Sequence, residues 1–261
     1  RNGLFREYVR LLRGLQPRVF VMENVSGMVK GKMKLVFAEI LRELKASGYR
    51  VSARLMNAMY FNVPQSRERL IFIGVREDMG REPSHPKAEG MPFTVKDAIG
   101  LDGFIEYRAN YSKGAADIRC KSFDNPSPAL MKVESPMMRH FVASGVETDI
   151  SLDMPAPPLS SRYQDYWREA RPGETVGKLS LSKKLDNTRP AYALVKSGGY
   201  GDAYHPTECR ALSLGERKRL ASFPDAFKFI DWKSGVERIG NSVPPLFMRA
   251  IALHIRRHSL T

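Results

Sequence analysis

The chain has 261 residues and 43% hydrophobic content, enough for one large or two modest domains with a sizeable core. Its net charge of +14 and pI of about 9.9 favour a polyanionic partner, nucleic acid before acidic membrane. No apolar run approaches the ~20 residues of a membrane-spanning helix, and Cys120 and Cys209 make neither a disulfide framework nor a cysteine-built zinc site. No membrane partner is therefore expected, and a reducing cytoplasm is the expected setting. With no basic low-complexity tail, the charge is expected on folded surface.

The chain opens on RNGLFREYVRLLRG, an amphipathic helix pattern rather than a signal peptide, with residues 4–14 helical and Pro17 in the following loop. RVFVMEN (18–24) reads as a short buried strand. Residues 33–47 read as a helix with Leu35, Ile40, Leu41 and Leu44 among its apolar positions and Gly48 as its stop. YRVSARLMNA (49–58) and residues 69–76 read as two further strands. Helix–strand–helix–strand alternation predicts an α/β fold with parallel strands. No crossover fits between the last two strands, so that pair is expected to be antiparallel. From about 80 to 208 proline, glycine and polar clusters interrupt the periodicity, which reads as a second domain of short strands and loops without a long helix. Helix resumes at LSLGERKRLASF, where Ser213 and Glu216 have capping-box spacing and Pro224 closes the segment. RIGNSVPPLFMRAIALHIRRH then reads as a loop running into a helix opened by Pro244 and Pro245. No internal repeat is found.

PQSRERLIFIGVR (64–76) sets polar arms at the mouth of a dry strand. In an extended chain Gln65, Arg67 and Arg69 project to one face. They are either a charged strand mouth reaching water or part of a site. Ligands of open α/β sheets sit outside the carboxyl ends of the parallel strands. The strand at 18–24 delivers Glu23 and Asn24 to that edge, and an antiparallel strand must start there, so the three arms are expected beside Glu23. A carboxylate ending an apolar strand is costly unless used or paired. In a closed pocket a carboxyl group can hold its proton near neutrality and donate it to a ring nitrogen.

Other candidates carry less. KSGGYGDAYHP (196–206) lacks the Lys-Ser/Thr and the strand–loop–helix context of a phosphate loop. His254 and His258 have the i, i+4 spacing of helical metal ligands but no third ligand, and no metal site is expected. Neither cysteine has the surroundings of a nucleophile.

ENV (23–25), PQSRERLIFIGVR (64–76), HPTECRALSLGERKRLASFPDAF (205–227) and RIGNSVPP (238–245) resemble, in order, the later motifs of DNA cytosine-5 methyltransferases. TVKDAIG (94–100) and the run from Arg171 to Gly199 resemble that family between its motifs. The resemblance implies a partial, Rossmann-like S-adenosylmethionine-dependent methyltransferase sheet with a smaller, irregular, β-rich target-recognition domain. The implied boundaries are 1–80 for the second half of the catalytic domain, 81–208 for target recognition, and 209–261 for the helices returning to the catalytic domain. The implied chemistry flips a cytosine out of duplex DNA, attacks C6 with a cysteine thiolate, methylates C5 from S-adenosylmethionine and removes the C5 proton. Glu23 would hold and protonate cytosine N3, and Arg69 would contact its O2. Asn24, Gln65 and Arg67 fall on the DNA and substrate side, the last two holding backbone and catalytic loop. Asn241, Ser242 and Val243 would close the cofactor pocket.

The family's Pro-Cys nucleophile motif and glycine-rich cofactor motif are not in these residues, Gly215 replaces the arginine usual in the LTxRE helix, and PAYAL (190–194) lacks the usual threonine. The cofactor site is therefore expected to be incomplete in this chain. Two readings remain: an enzyme fragment or subunit that needs an N-terminal half bearing Pro-Cys, or a non-catalytic DNA-binding and specificity subunit of the same architecture. Both place the protein on double-stranded DNA at a bacterial nucleoid.

Overall fold

The structure is a computed structural model that describes residues 4–29, 31, 33–99, 154–177, 182–196 and 203–260. Much of the expected target-recognition insert, Cys120 included, lies outside the described residues. The chain divides into two compact units: Arg1–Asn57, Glu68–Lys87 and Arg249–Thr261 form one, and Ala58–Arg67 with Ala88–Met248 form the other. These borders differ from the expected ones at 80 and 208, chiefly because 209–248 fold with the second unit.

The first unit is a three-stranded sheet with two helices on one face. Helix α1 (Leu4–Leu15) precedes strand β1 (Val19–Val25), helix α2 (Met33–Lys45) precedes β2 (Tyr49–Asn57), and β4 (Glu68–Arg76) lies between β1 and β2, antiparallel to both. The expected antiparallel strand is thus present, and it is the central one. Gly48, at φ 87°, ends α2 in a conformation that costs glycine least.

Register assigns the two faces. Phe20 and Met22, Leu70, Phe72 and Gly74, and Val51 and Ala53 share the face that packs on Val9 and Leu12 of α1 and Ile40 and Leu44 of α2. Each fully buried aliphatic or phenyl side chain there contributes roughly 1.5–3 kcal/mol. Phe20 lies opposite Gly74, and a Cβ on Gly74 would stand 2.0 Å from its ring. That explains a glycine within an otherwise apolar strand: it makes room for Phe20, which meets Tyr8 and Tyr49 edge-on at 5.9 and 5.1 Å. On the opposite face Ile71 and Ile73 are fully buried, and His85 Nε2 lies 3.0 Å from the Ile71 carbonyl.

The second unit has little sheet among its described residues. Strand β3 (Gln65–Ser66) pairs in parallel with β6 (Ala191–Tyr192), and β5 (Lys183–Lys184) with β7 (Ala203–Tyr204). Its described helices are α3 (Val95–Ile99), α4 (Ser161–Glu169), α5 (Leu214–Leu220) and α6 (Trp232–Asn241), and α7 (Pro245–Ile255) runs on into the first unit. The expected Ser213–Glu216 capping box is formed at the start of α5, with the Glu216 amide on Ser213 Oγ at 3.1 Å.

Three expectations are corrected. Residues 161–169 form a helix whose sequence, SRYQDYWRE, hides its periodicity because only Trp167 is fully buried. The stretch read as a loop from Arg238 is the end of α6, capped at its start by Asp231 Oδ1 accepting from the Ser234 amide at 2.8 Å. The positive charge is not all surface: Arg67, Lys184, Arg217, Lys218 and Arg219 are buried. Lys218 Nζ donates to the carbonyls of Asp225 and Phe227, and Arg219 grips the Asp225 carboxylate. Lys184 Nζ sits 3.6 Å over the Trp167 ring and caps the end of α4 through the Trp167 and Ala170 carbonyls. Burial pushes its pKa down.

Candidate active site

Glu23 stands near the carboxyl end of β1. It lies opposite Ile71 while Arg69 lies opposite Val25, so the two are diagonal neighbours on one face of the antiparallel pair. Arg69 Nε approaches Glu23 Oε1 to 2.5 Å without the alignment of a hydrogen bond, and Arg69 Nη1 donates to the Glu68 carbonyl at 2.8 Å. The side chains keep 13% and 29% of their exposure, so the carboxylate remains reachable while its partner is largely enclosed. Asn24 turns back on the main chain, its Oδ1 accepting from the Val25 amide at 2.8 Å.

Gln65 and Arg67 take a different course. The strand breaks before β4, with the Arg67 carbonyl accepting from the Ala58 amide, and both side chains bond within the second unit. Gln65 Oε1 accepts from the Leu194 amide and its Nε2 donates to the Leu220 carbonyl, each at 3.2 Å. Arg67 Nη1 donates to the Leu194 carbonyl at 3.0 Å and Nη2 to the Gly240 carbonyl at 2.7 Å. They are 1% and 3% exposed. The expected convergence of three arms is therefore split: Arg69 reaches Glu23, and Gln65 and Arg67 brace main chain. The alternation rule held only as far as the strand did.

The residues expected at the cofactor follow that brace. Asn241 ends α6 and is exposed, Ser242 Oγ donates to the Ile239 carbonyl at 2.8 Å, and Val243 is half-buried before Pro244. Among the described residues no group of three or more histidine, cysteine or carboxylate side chains is placed to hold a metal ion. His254 and His258 instead stack with ring centroids 4.5 Å apart, and Ser84 Oγ lies 2.8 Å from His254 Nε2. Burial and the neighbouring His258 and His85 hold His254 below its ordinary pKa, and burial does the same for His85.

Sequence reasoning missed a second polar network. Arg210 is bidentate on Glu216, at 2.8 and 2.7 Å, and reaches Glu208 at 2.7 Å. His205 lies buried against them, its Nδ1 accepting the Glu208 amide at 2.9 Å, and burial lowers its pKa. The capping-box spacing signalled Glu216; nothing in the spacing signalled that its carboxylate also seats an arginine.

Of the resembling segments, ENV and the end of QSRER meet in one sheet, where Glu23 at the carboxyl end of β1 holds Arg69 of β4. The model of the C-5 cytosine-specific DNA methylase family matches residues 1–257. The chain belongs to that family. Its members use S-adenosylmethionine as methyl donor. M.XorII of Xanthomonas oryzae pv. oryzae, a Type II methyltransferase, is 32% identical over 275 residues, covering 98% of this chain and 62% of that protein. M.NgoFVII of Neisseria gonorrhoeae, also a Type II methyltransferase, is 29% identical over 248 residues, covering 94% of this chain and 60% of that protein. The chain thus spans about three-fifths of the length of these two Type II methyltransferases. A putative DNA modification methyltransferase encoded within an E. coli prophage shares the fold, with a TM-score of 0.75 at 23% identity over 100% of this chain and 75% of that one.

Proposed function

We propose that the chain is the C-terminal portion of a DNA cytosine-5 methyltransferase of a restriction–modification system, catalytic only when joined to a polypeptide bearing the Pro-Cys nucleophile. The Glu23–Arg69 pair carries this reading. A positioned carboxyl group and guanidinium suit a flipped cytosine, Glu23 giving a proton to N3 and Arg69 facing O2, which together make C6 electrophilic toward the thiolate. S-adenosylmethionine, when bound, supplies the methyl group taken up by C5. Exposed Asn241 and half-buried Val243, fixed by the Ser242 turn, fit one wall of its pocket.

Two features of the first unit support a joined partner. Among the described residues β1 has an unpaired edge although VFVMEN is apolar on both faces, the pattern of an interior strand. Leu4, Leu11 and Leu15 form a stripe along α1 that is 77%, 49% and 75% exposed, beside the stripe that packs on the sheet. A parallel strand and its helix would cover both. The remaining cations of the basic chain supply phosphate contacts on duplex DNA, so affinity falls steeply as salt rises. The setting is the bacterial cytoplasm, at the nucleoid.

The test is methyl transfer to duplex DNA by the 261-residue chain alone and by the chain joined to a Pro-Cys segment. The reading expects no turnover from the first and turnover from the second. Turnover by the chain alone contradicts it, and DNA binding without transfer by the joined protein would favour a non-catalytic specificity subunit.

A further inference from the structure

We propose that Arg67, with Gln65, is a positioning residue for the S-adenosylmethionine wall, acting through Gly240, and belongs to neither the DNA nor the base. This rests on the cofactor reading of Asn241–Val243 given above and names what sets that segment in place. Four hydrogen bonds from Gln65 and Arg67 end on the main chain of Leu194, Leu220 and Gly240. Two side chains within one three-residue stretch, Gln65 and Arg67, therefore join the loop at 194, the end of α5 and the end of α6. With 1% and 3% exposure neither has surface to offer a phosphate.

Gly240 shows how tight the junction is. A Cβ there would lie 2.3 Å from Lys196 N and 2.5 Å from Lys196 Cα and from the Val195 carbonyl carbon. The backbone of α6 thus rests on the backbone after Leu194, and the Arg67 guanidinium bridges both, one nitrogen on each carbonyl. A planar fork suits this task because its two donors keep a fixed spacing, which a lysine ammonium does not reproduce. The next residues are Asn241, Ser242 and Val243, with the Ser242 hydroxyl tying the turn to Ile239. Displacing the Gly240 carbonyl displaces this segment first, and misplacements of about 1 Å remote from the reacting atoms can cost a hundredfold.

The experiment compares Arg67→Lys, Asn241→Ala and Ser242→Ala with the parent in the joined enzyme, measuring KM for S-adenosylmethionine, kcat at saturating cofactor and Kd for duplex DNA. The inference expects Arg67→Lys to raise the cofactor KM about tenfold or more, with kcat and DNA Kd within about twofold. Asn241→Ala or Ser242→Ala should weaken the cofactor in the same sense, and Arg67→Lys combined with Ser242→Ala should fall short of additive. If Asn241→Ala and Ser242→Ala weaken the cofactor while Arg67→Lys only lowers the melting temperature, the positioning role is overturned and the cofactor wall stands. If DNA affinity falls instead, Arg67 is a DNA-side residue. If none of the three alters cofactor binding, the cofactor wall itself is wrong and the inference falls with it.

Discussion

Arg67 and Arg69 stand two residues apart in one run and have different surroundings. Arg69 lies on a nine-residue strand in the first unit, against a carboxylate that keeps 29% of its exposure. Arg67 lies at the break before that strand, 3% exposed, with its donors on two carbonyls of the second unit. An arginine on a carboxylate can change partner when a substrate arrives, because the carboxylate itself can engage the substrate. An arginine spent on main chain cannot let go without leaving buried carbonyls unsatisfied. The comparison teaches that motif spacing identifies the polar positions, while the ladder decides which of them can serve chemistry.

The largest effect is expected on the Arg69 side. Glu23→Gln in the joined enzyme keeps shape and a donor but loses the transferable proton, and single-turnover methylation should slow by about 10²–10⁴-fold with DNA affinity little changed. Arg69→Ala should slow it as well, and the double variant should be less than additive if both groups hold one base. A near-normal rate for Glu23→Gln would remove the mechanistic half of the comparison.

Gly74→Ala sharpens the comparison from the stability side. Its Cβ would meet the Phe20 ring at 2.0 Å, so the sheet carrying Arg69 should lose about 1–3 kcal/mol in denaturant unfolding. The second unit's brace should keep its protection in hydrogen exchange, and equal loss in both regions would show that they do not act as separate units.

A smaller effect is expected with pH. His85 and His254 in the first unit and His205 in the second are all held below the ordinary histidine value of 6.5. As pH falls past 6.5 the unfolded chain takes up these protons before the folded one, so stability is full above that value and declines below it. Thermal melts across this range should show the decline. His205→Asn keeps an acceptor for the Glu208 amide but cannot take up a proton, and should flatten part of the slope. A melting temperature that rises on acidification would contradict the assignment.

The helix–strand order of the first unit was legible because each of its elements has one clear apolar period and a clean stop, as at Gly48. The antiparallel strand followed from chain length alone, since no crossover fits between Asn57 and Glu68. Glu23 and Arg69 were legible because strand register transmits a period of two across paired strands. Gln65 and Arg67 were not, since the bonds that brace them run to main-chain atoms at Leu194, Leu220 and Gly240, and a main-chain group carries no residue-type signal. Helix α4 escaped notice because its burial rests on Trp167, and α6 because Gly235 and Gly240 imitate a loop. Those glycines serve close contacts, with Leu214 in one case and Lys196 in the other.

The central claim is tested most directly by placing Arg67→Lys beside Arg69→Lys in the joined enzyme, with melting temperature and single-turnover rate recorded on the same samples. The account predicts that Arg69→Lys melts close to the parent and stays slow at any cofactor concentration. Arg67→Lys should melt lower and recover its rate at saturating S-adenosylmethionine. Two variants with the same profile would show that the pair shares one role, and would contradict the division drawn between them.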